Sequence, residues 1–176
     1  MLRILYIGLI LGVKQMIIYK TIGSASVIIS ALMMYYELQK YERMKLKQIN
    51  SFILLIEYIK NQIECYLLPI DIIIRNCDTK LLNACAIDKN YKEANKLEDL
   101  IAMTTFYCDE QSVELIKQFA RDFGQGYIGE QLRLCDYYRG ELMKQRDKAR
   151  EKGAKEQKVR LALCLCASFS LILLLI

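Results

Sequence analysis

The chain ends on a run dense in lysine and arginine, Lys144–Arg160, that passes directly into Leu161–Ile176, a stretch with no charged residue. A cationic stalk feeding a terminal apolar helix points to a protein held in a membrane. The run sets Lys144, Arg146, Lys148, Arg150, Lys152, Lys155, Lys158 and Arg160 against Asp147, Glu151 and Glu156, a surplus equal to the +5 of the whole 176-residue chain. Everything outside the stalk is therefore close to neutral. That argues against a nucleic-acid-binding domain with a basic face and for a positive collar at a membrane surface. A spanning helix needs roughly 20 apolar residues; Leu161–Ile176 is a little short, and Val159 with the snorkelling stems of Lys158 and Arg160 can lengthen it.

At the other end the chain is apolar from Met1 to Tyr36, interrupted by Arg3, Lys14, Gln15 and Lys20. The best single span is Ile17–Tyr36, whose Gly23, Ser24, Ala25, Ser26, Ser30 and Ala31 suit close helix packing. Lys40, Arg43, Lys45 and Lys47 follow it. Both spans thus carry their dense positive flank toward the middle of the chain, which the positive-inside bias places in the cytoplasm. The expected topology is a hairpin with both termini outside. A signal peptide is the rival reading of Arg3 followed by Ile4–Val13, but no small-x-small cleavage site follows. A start at Met16 would leave a short tail before a clean span, and the intact mass of the native protein distinguishes it from a start at Met1.

The seven cysteines come without a C-x-x-C pair, and the chain has no histidine. Zinc sites built from Cys and His and any Ser-His or Cys-His nucleophile are thereby excluded. Cys65, Cys77, Cys85, Cys108 and Cys135 fall in the expected cytoplasmic part, where thiols stay reduced, and read as small core residues. Cys164 and Cys166, two apart, point to different faces of the terminal span.

Between the spans the periodicity is helical throughout. Ile49, Phe52, Ile53, Ile56, Ile59, Ile63 and Tyr66 recur at three-and-four spacing, opposite Glu57, Lys60, Asn61 and Glu64. Pro69, the only proline, ends this helix and fits the first turn of the next, Ile70 to Asn76. Asp78 caps a short helix through Leu81, Leu82 and Cys85. After a polar break at Asp88–Tyr91, a helix around Glu93–Thr105 buries Leu97, Leu100 and Ile101. Asp109 caps another, with Val113, Ile116, Phe119 or Ala120, and Phe123 as its stripe and Gly124 as its stop. A last helix starts near Tyr127 and buries Ile128, Leu132, Cys135, Tyr138 and Leu142 before it turns wholly polar. In the stalk Glu151 with Lys155 and Glu156 with Arg160 have the favourable acid-first spacing, and Gly153 weakens the helix. The expectation is an all-α protein: a cytoplasmic bundle of about six helices, residues 37–143, and a basic stalk, 144–160, between an N-terminal membrane segment, 1–36, and a C-terminal transmembrane helix, 161–176.

Motifs for catalysis are missing. Gly124, Gly126 and Gly129 follow a helix instead of a strand and lead to no Lys-Ser or Lys-Thr, so they read as a turn and not as a phosphate-cradling loop. Glu98–Asp99 and Asp109–Glu110 fit helix starts better than acid–base chemistry. Tyr35 and Tyr36 lie where an interfacial belt belongs. No catalytic residue, metal or cofactor is expected.

The N-terminal span, the segment Phe52–Ile70 (FILLIEYIKNQIECYLLPI), the segment Phe119–Gln131 (FARDFGQGYIGEQ) and the basic stretch from Lys152 into QKVRLALCLC together resemble the stage III sporulation protein AB family of endospore-forming bacteria. The similarity runs from Met16 onward, with Ile63-Glu64, Leu68-Pro69, Phe123-Gly124 and Glu130-Gln131 as its most telling pairs. The family pattern has glycine at the place of Ala120 and an acid at that of Tyr127, so this is a diverged member. The resemblance implies a helical domain similar to that of the type II secretion platform protein, in the mother-cell membrane of a sporulating bacterium. It also implies a homo-oligomer that docks a secretion-type ATPase to the other membrane proteins of a mother cell–forespore channel. The residues expected to meet the partner are Gly124, Gly126, Tyr127, Glu130 and Gln131, with Glu64 and Pro69 as a junction; Glu64 pairs with Lys60 or makes a buried contact. Lys144, Lys148, Arg150, Lys152, Lys155, Lys158 and Arg160 would face the bilayer surface. The alternative is an oligomerising anchor that binds anionic lipid through this stalk. No nucleic-acid partner is expected.

Overall fold

In a computed structural model the described residues are 2–88, 91, 94, 96–124 and 126–175 for the backbone, with side chains from 20 and 22 to 170 within those ranges. Among them the fold is all-α: α1 (Leu2–Tyr66), α2 (Ile70–Arg75), α3 (Thr79–Ala84), α4 (Leu97–Ala102), α5 (Glu110–Asp122) and α6 (Ile128–Leu175). The chain forms two compact units, Met1–Lys40 with Ala154–Ile176, and Tyr41–Gly153. α1 and α6 each contribute residues to both units.

In the unit Tyr41–Gly153 one face of α1 supplies the core: Ile49, Phe52, Ile53, Ile56, Ile59 and Ile63 are buried, as their spacing predicts, together with Leu55. Tyr66 continues the spacing but is exposed, because the helix ends there. Leu67, at φ 53°, turns the chain in the left-handed region, and Pro69 sits one residue ahead of α2 as its N-cap. Asp78 caps α3 by accepting from the Lys80 N–H at 2.8 Å. The helix expected around Glu93–Thr105 is shorter, Leu97–Ala102, with Leu97, Leu100 and Ile101 buried. Asp99 accepts from the Lys96 N–H at 3.2 Å at its start, and residues 89, 90, 92, 93 and 95 lie outside the described ones.

Around α4 the backbone runs extended for a moment. Ile87 and Thr104 form a lone antiparallel bridge, flanked by Asp88 N–H to Met103 O at 3.2 Å and Thr105 N–H to Ala86 O at 3.0 Å. The side chain of Gln48, 1 % exposed, ties this crossing to α1. Its Nε2 donates to Cys85 O at 2.9 Å and Thr105 O at 2.7 Å, and its Oε1 accepts from the N–H groups of Tyr107 at 2.7 Å and Cys108 at 3.3 Å. Among the described residues every buried side-chain polar atom has a partner.

α5 packs on α4 and buries Ser112, Ile116, Phe119 and Ala120. Asp109 stands at its N-cap but does not bond the backbone there. Its carboxylate accepts from the Ser112 hydroxyl at 3.0 Å and faces Lys45 at 3.5 Å. α6 buries Cys135, Tyr138 and Leu142, whereas Ile128, expected on the same face, is 47 % exposed at the first turn. Phe119 lies 5.6 Å from Tyr138, whose hydroxyl donates to Asp122. Lys60 reaches both carboxylate oxygens of Asp136 at 2.8 Å, and Arg139 lies 3.6 Å from Glu57, so α1 and α6 are also joined across their polar edges. Of the expected core thiols, Cys77, Cys85 and Cys135 are buried and Cys108 partly so; Cys65 is exposed, on the outer face of the last turn of α1.

In the other unit Ile28, Leu32 and Tyr35 of α1 and Leu161, Leu165 and Phe169 of α6 line a common apolar seam. The Tyr35 hydroxyl accepts from Gln39 at 2.6 Å and from Gln157 at 3.3 Å. Among the described residues no helix is long and apolar enough to cross a membrane. The expected spans Ile17–Tyr36 and Leu161–Ile176 pass through residues 17–19, 21 and 171–176, whose side chains lie outside the described ones, as do those of Arg3, Ile4–Val13, Lys14 and Met16.

Candidate functional site

Two segments distant in the sequence meet at one end of the unit Tyr41–Gly153. The turn after α1 brings Leu67, Leu68, Pro69 and Ile70 to one wall of a groove of about 290 Å³, over Ile63. The turn between α5 and α6 brings Phe123, Gly124, Ile128 and Gln131 to the other. Both walls are made by helix ends that the sequence stops abruptly. Phe123, extended at ψ 141°, is followed by Gly124 at φ 89° and then Gly126 at φ 107°, positions open to glycine at little cost. A Cβ at Gly126 would displace the carboxylate of Glu130, which lies over it.

Tyr127 opens α6: its carbonyl accepts from the N–H groups of Glu130 at 2.9 Å and Gln131 at 3.1 Å. The Gln131 amide donates to Gly126 O at 3.2 Å and so braces the turn from the groove side. With its backbone thus occupied, Tyr127 holds its ring out, 89 % exposed. Of the residues expected to meet a partner, Gly124 and Gln131 line the groove with Pro69, while Gly126, Tyr127 and Glu130 form the turn beside it. Glu64 neighbours the lining residue Ile63, but it is exposed. It is not a buried contact, and Lys60 pairs with Asp136 instead. Hydrogen bonding to that carboxylate raises the Lys60 ammonium above its ordinary pKa. Sequence reasoning missed Leu67 and Ile128 as groove residues: the spacing puts Ile128 on the buried face of the last helix, and no pattern singles out Leu67.

The stalk cations differ among themselves. Lys144 bonds Glu141 at 2.7 Å, and Arg160 pairs with Glu156 as its spacing predicts. Lys144, Lys148, Arg150, Lys152, Lys155 and Lys158 are all exposed, and Lys152 and Lys155 have interactions of their own. Among the described residues no group of three or more Cys, Asp or Glu is placed to hold a metal ion. The site offers shape, apolar surface and carboxylates, which suit recognition of another macromolecule.

A family model described as stage III sporulation protein AB matches residues 20–176. No curated protein and no solved structure matches the chain.

Proposed function

This chain belongs to the stage III sporulation protein AB family, and from that premise we propose that it is a membrane platform that docks a cytoplasmic secretion-type ATPase to the channel complex of the sporulating cell. The observation that carries the docking part is the groove itself: the Leu68-Pro69 and Phe123–Gln131 segments, more than fifty residues apart, make its two walls.

The membrane part is supported by the unit Met1–Lys40 with Ala154–Ile176. Its outward residues are large and apolar, with Ile29, Met33, Leu163 and Phe169 all more than half exposed, which water would not tolerate over a surface of this kind. Its serines satisfy their own hydroxyls within the helix. Ser26 bonds Gly23 O at 2.8 Å, Ser30 bonds Ser26 O at 2.9 Å, Ser168 bonds Cys164 O at 2.7 Å and Ser170 bonds Cys166 O at 2.9 Å. Hydrocarbon surroundings demand such internal pairing. The stalk then supplies the cytoplasmic collar.

Tyr127→Ala and Glu130→Ala are expected to abolish recovery of the ATPase with tagged full-length protein from sporulating cells, with the helical circular dichroism signal unchanged. Normal recovery with both variants would remove the docking role from this turn. The anchor reading keeps one observation in its favour, the exposed cations of the stalk. Replacing Lys144, Lys148 and Lys152 together with Gln is expected to weaken flotation with anionic vesicles about a hundredfold, each basic residue contributing about 1 kcal/mol, while leaving ATPase recovery within about twofold. Loss of both at once would favour the anchor.

A further inference from the structure

Leu67 is an anomaly that the fold of this chain does not explain. It holds φ 53° at the end of α1, a conformation that glycine or asparagine adopts and that a leucine Cβ resists. The side chain gains no burial in return, since it is 66 % exposed at the mouth of the groove. Across from it stands Ile128, 47 % exposed, with the outstretched ring of Tyr127 beside it. A strained backbone that presents an exposed apolar side chain at a cleft is the kind of feature that a binding partner accounts for.

The charged residues next to the lining residues in sequence are acidic. Glu64 follows the lining residue Ile63, Asp71 follows Ile70, and Glu130 precedes Gln131. None of these three carboxylates forms an ion pair among the described residues. The nearest cations in sequence are Lys60, one turn before Glu64 and bonded to Asp136, Arg133, one turn further along α6, and Arg75, at the far end of α2.

Resting on the docking reading above, we infer that this groove receives one bulky apolar side chain of the ATPase, inserted between Leu67 and Ile128, with a lysine or arginine beside it that meets Glu64 and Glu130. Leu67 is kept against the preference of its own backbone because it forms one jaw of that pocket, and the carboxylates select a basic neighbour.

The test uses the tagged full-length protein in sporulating cells, with the ATPase as the probe. Leu67→Gly is expected to raise the melting temperature by several degrees and to lower ATPase recovery at least tenfold. Glu64→Lys combined with Glu130→Lys, both exposed, is expected to lower it at least tenfold with the melting temperature unchanged. A photo-crosslinking amino acid at position 127 is expected to label an ATPase segment in which a large apolar residue lies within two positions of a lysine or arginine. Recovery unchanged in both variants, a fall in the melting temperature of Leu67→Gly, or a crosslink only to a second copy of this chain would each overturn the inference while leaving the platform reading in place. Failure of the unaltered protein to recover the ATPase would overturn both.

Discussion

Replacing Gln48 with Leu is expected to cost about 3 kcal/mol and to lower the melting temperature by roughly 9 °C. The side chain is nearly isosteric, so packing changes little and the loss is one of hydrogen bonding. Four backbone groups lose their partner: the carbonyls of Cys85 and Thr105 and the N–H groups of Tyr107 and Cys108. A buried group left unpaired costs about 1–3 kcal/mol; three of these bonds are only partly buried, so water recovers some of the sum. Gln48→Glu is expected to be worse at neutral pH, since a carboxylate would face two carbonyl oxygens, and to recover as the pH falls and the carboxyl regains a proton it can donate. Thermal melts of the full chain in detergent, followed at 222 nm, give the answer. A Gln48→Leu protein melting within about 3 °C of the parent would mean that water replaces the amide almost fully.

Alkaline solution is expected to unfold the protein well before its lysines lose their charge in bulk. Burial pushes the thiols of Cys77 and Cys108 up to about 11 and that of Cys135 up to about 12, and raises Cys85 further still. Burial, followed by the hydrogen bond to Asp122, pushes the Tyr138 phenol up to about 12. In each case the folded pKa exceeds the unfolded one, so the folded state holds protons that the unfolded chain has already released. Stability is therefore full below about pH 8.5 and falls as pH rises from there through 11 and 12. With several groups acting together the slope reaches about 3 kcal/mol per pH unit, against a total stability of only about 5–15 kcal/mol. Urea midpoints under reducing conditions should drop steeply between pH 9 and 11. A flat profile across that window would show that these groups reach water in the folded protein.

How much of this was legible beforehand depends on what kind of signal each residue carries. Pro69, Asp78 and Gly124 mark breaks through backbone chemistry that acts locally, and the helices stop or start within a residue or two of where these residues place them. The apolar stripe of α1 could be read because only one face is buried. The same rule fails where a helix ends: Tyr66 and Ile128 continue their stripes in spacing, but nothing stands opposite them, and whether something does is a tertiary fact. Gln48 was hidden for the converse reason. It lies four residues before Phe52, in line with the stripe, yet a polar side chain there reads as the stripe's edge until the loop carbonyls it serves are in place. In the site, the glycines and Gln131 were visible as a turn. That Pro69 would form the opposite wall depends on a contact between segments that no local pattern encodes.

The four bonds of Gln48 also set the order in which parts of the molecule can become independent of one another. The loops on either side of α4 are fastened to each other by one bridge, and to α1 by the Gln48 amide together with the Phe52–Phe106 stack and the Lys45–Asp109 pair. When α1 lifts away, the Tyr107 and Cys108 amides lose their acceptor in the same event. Their exchange with solvent deuterium should then follow the undocking of a helix some sixty residues earlier, and not the fraying of their own loop. Residues 103–108, irregular to the eye, thereby share the cooperative unit of the longest helix among the described residues.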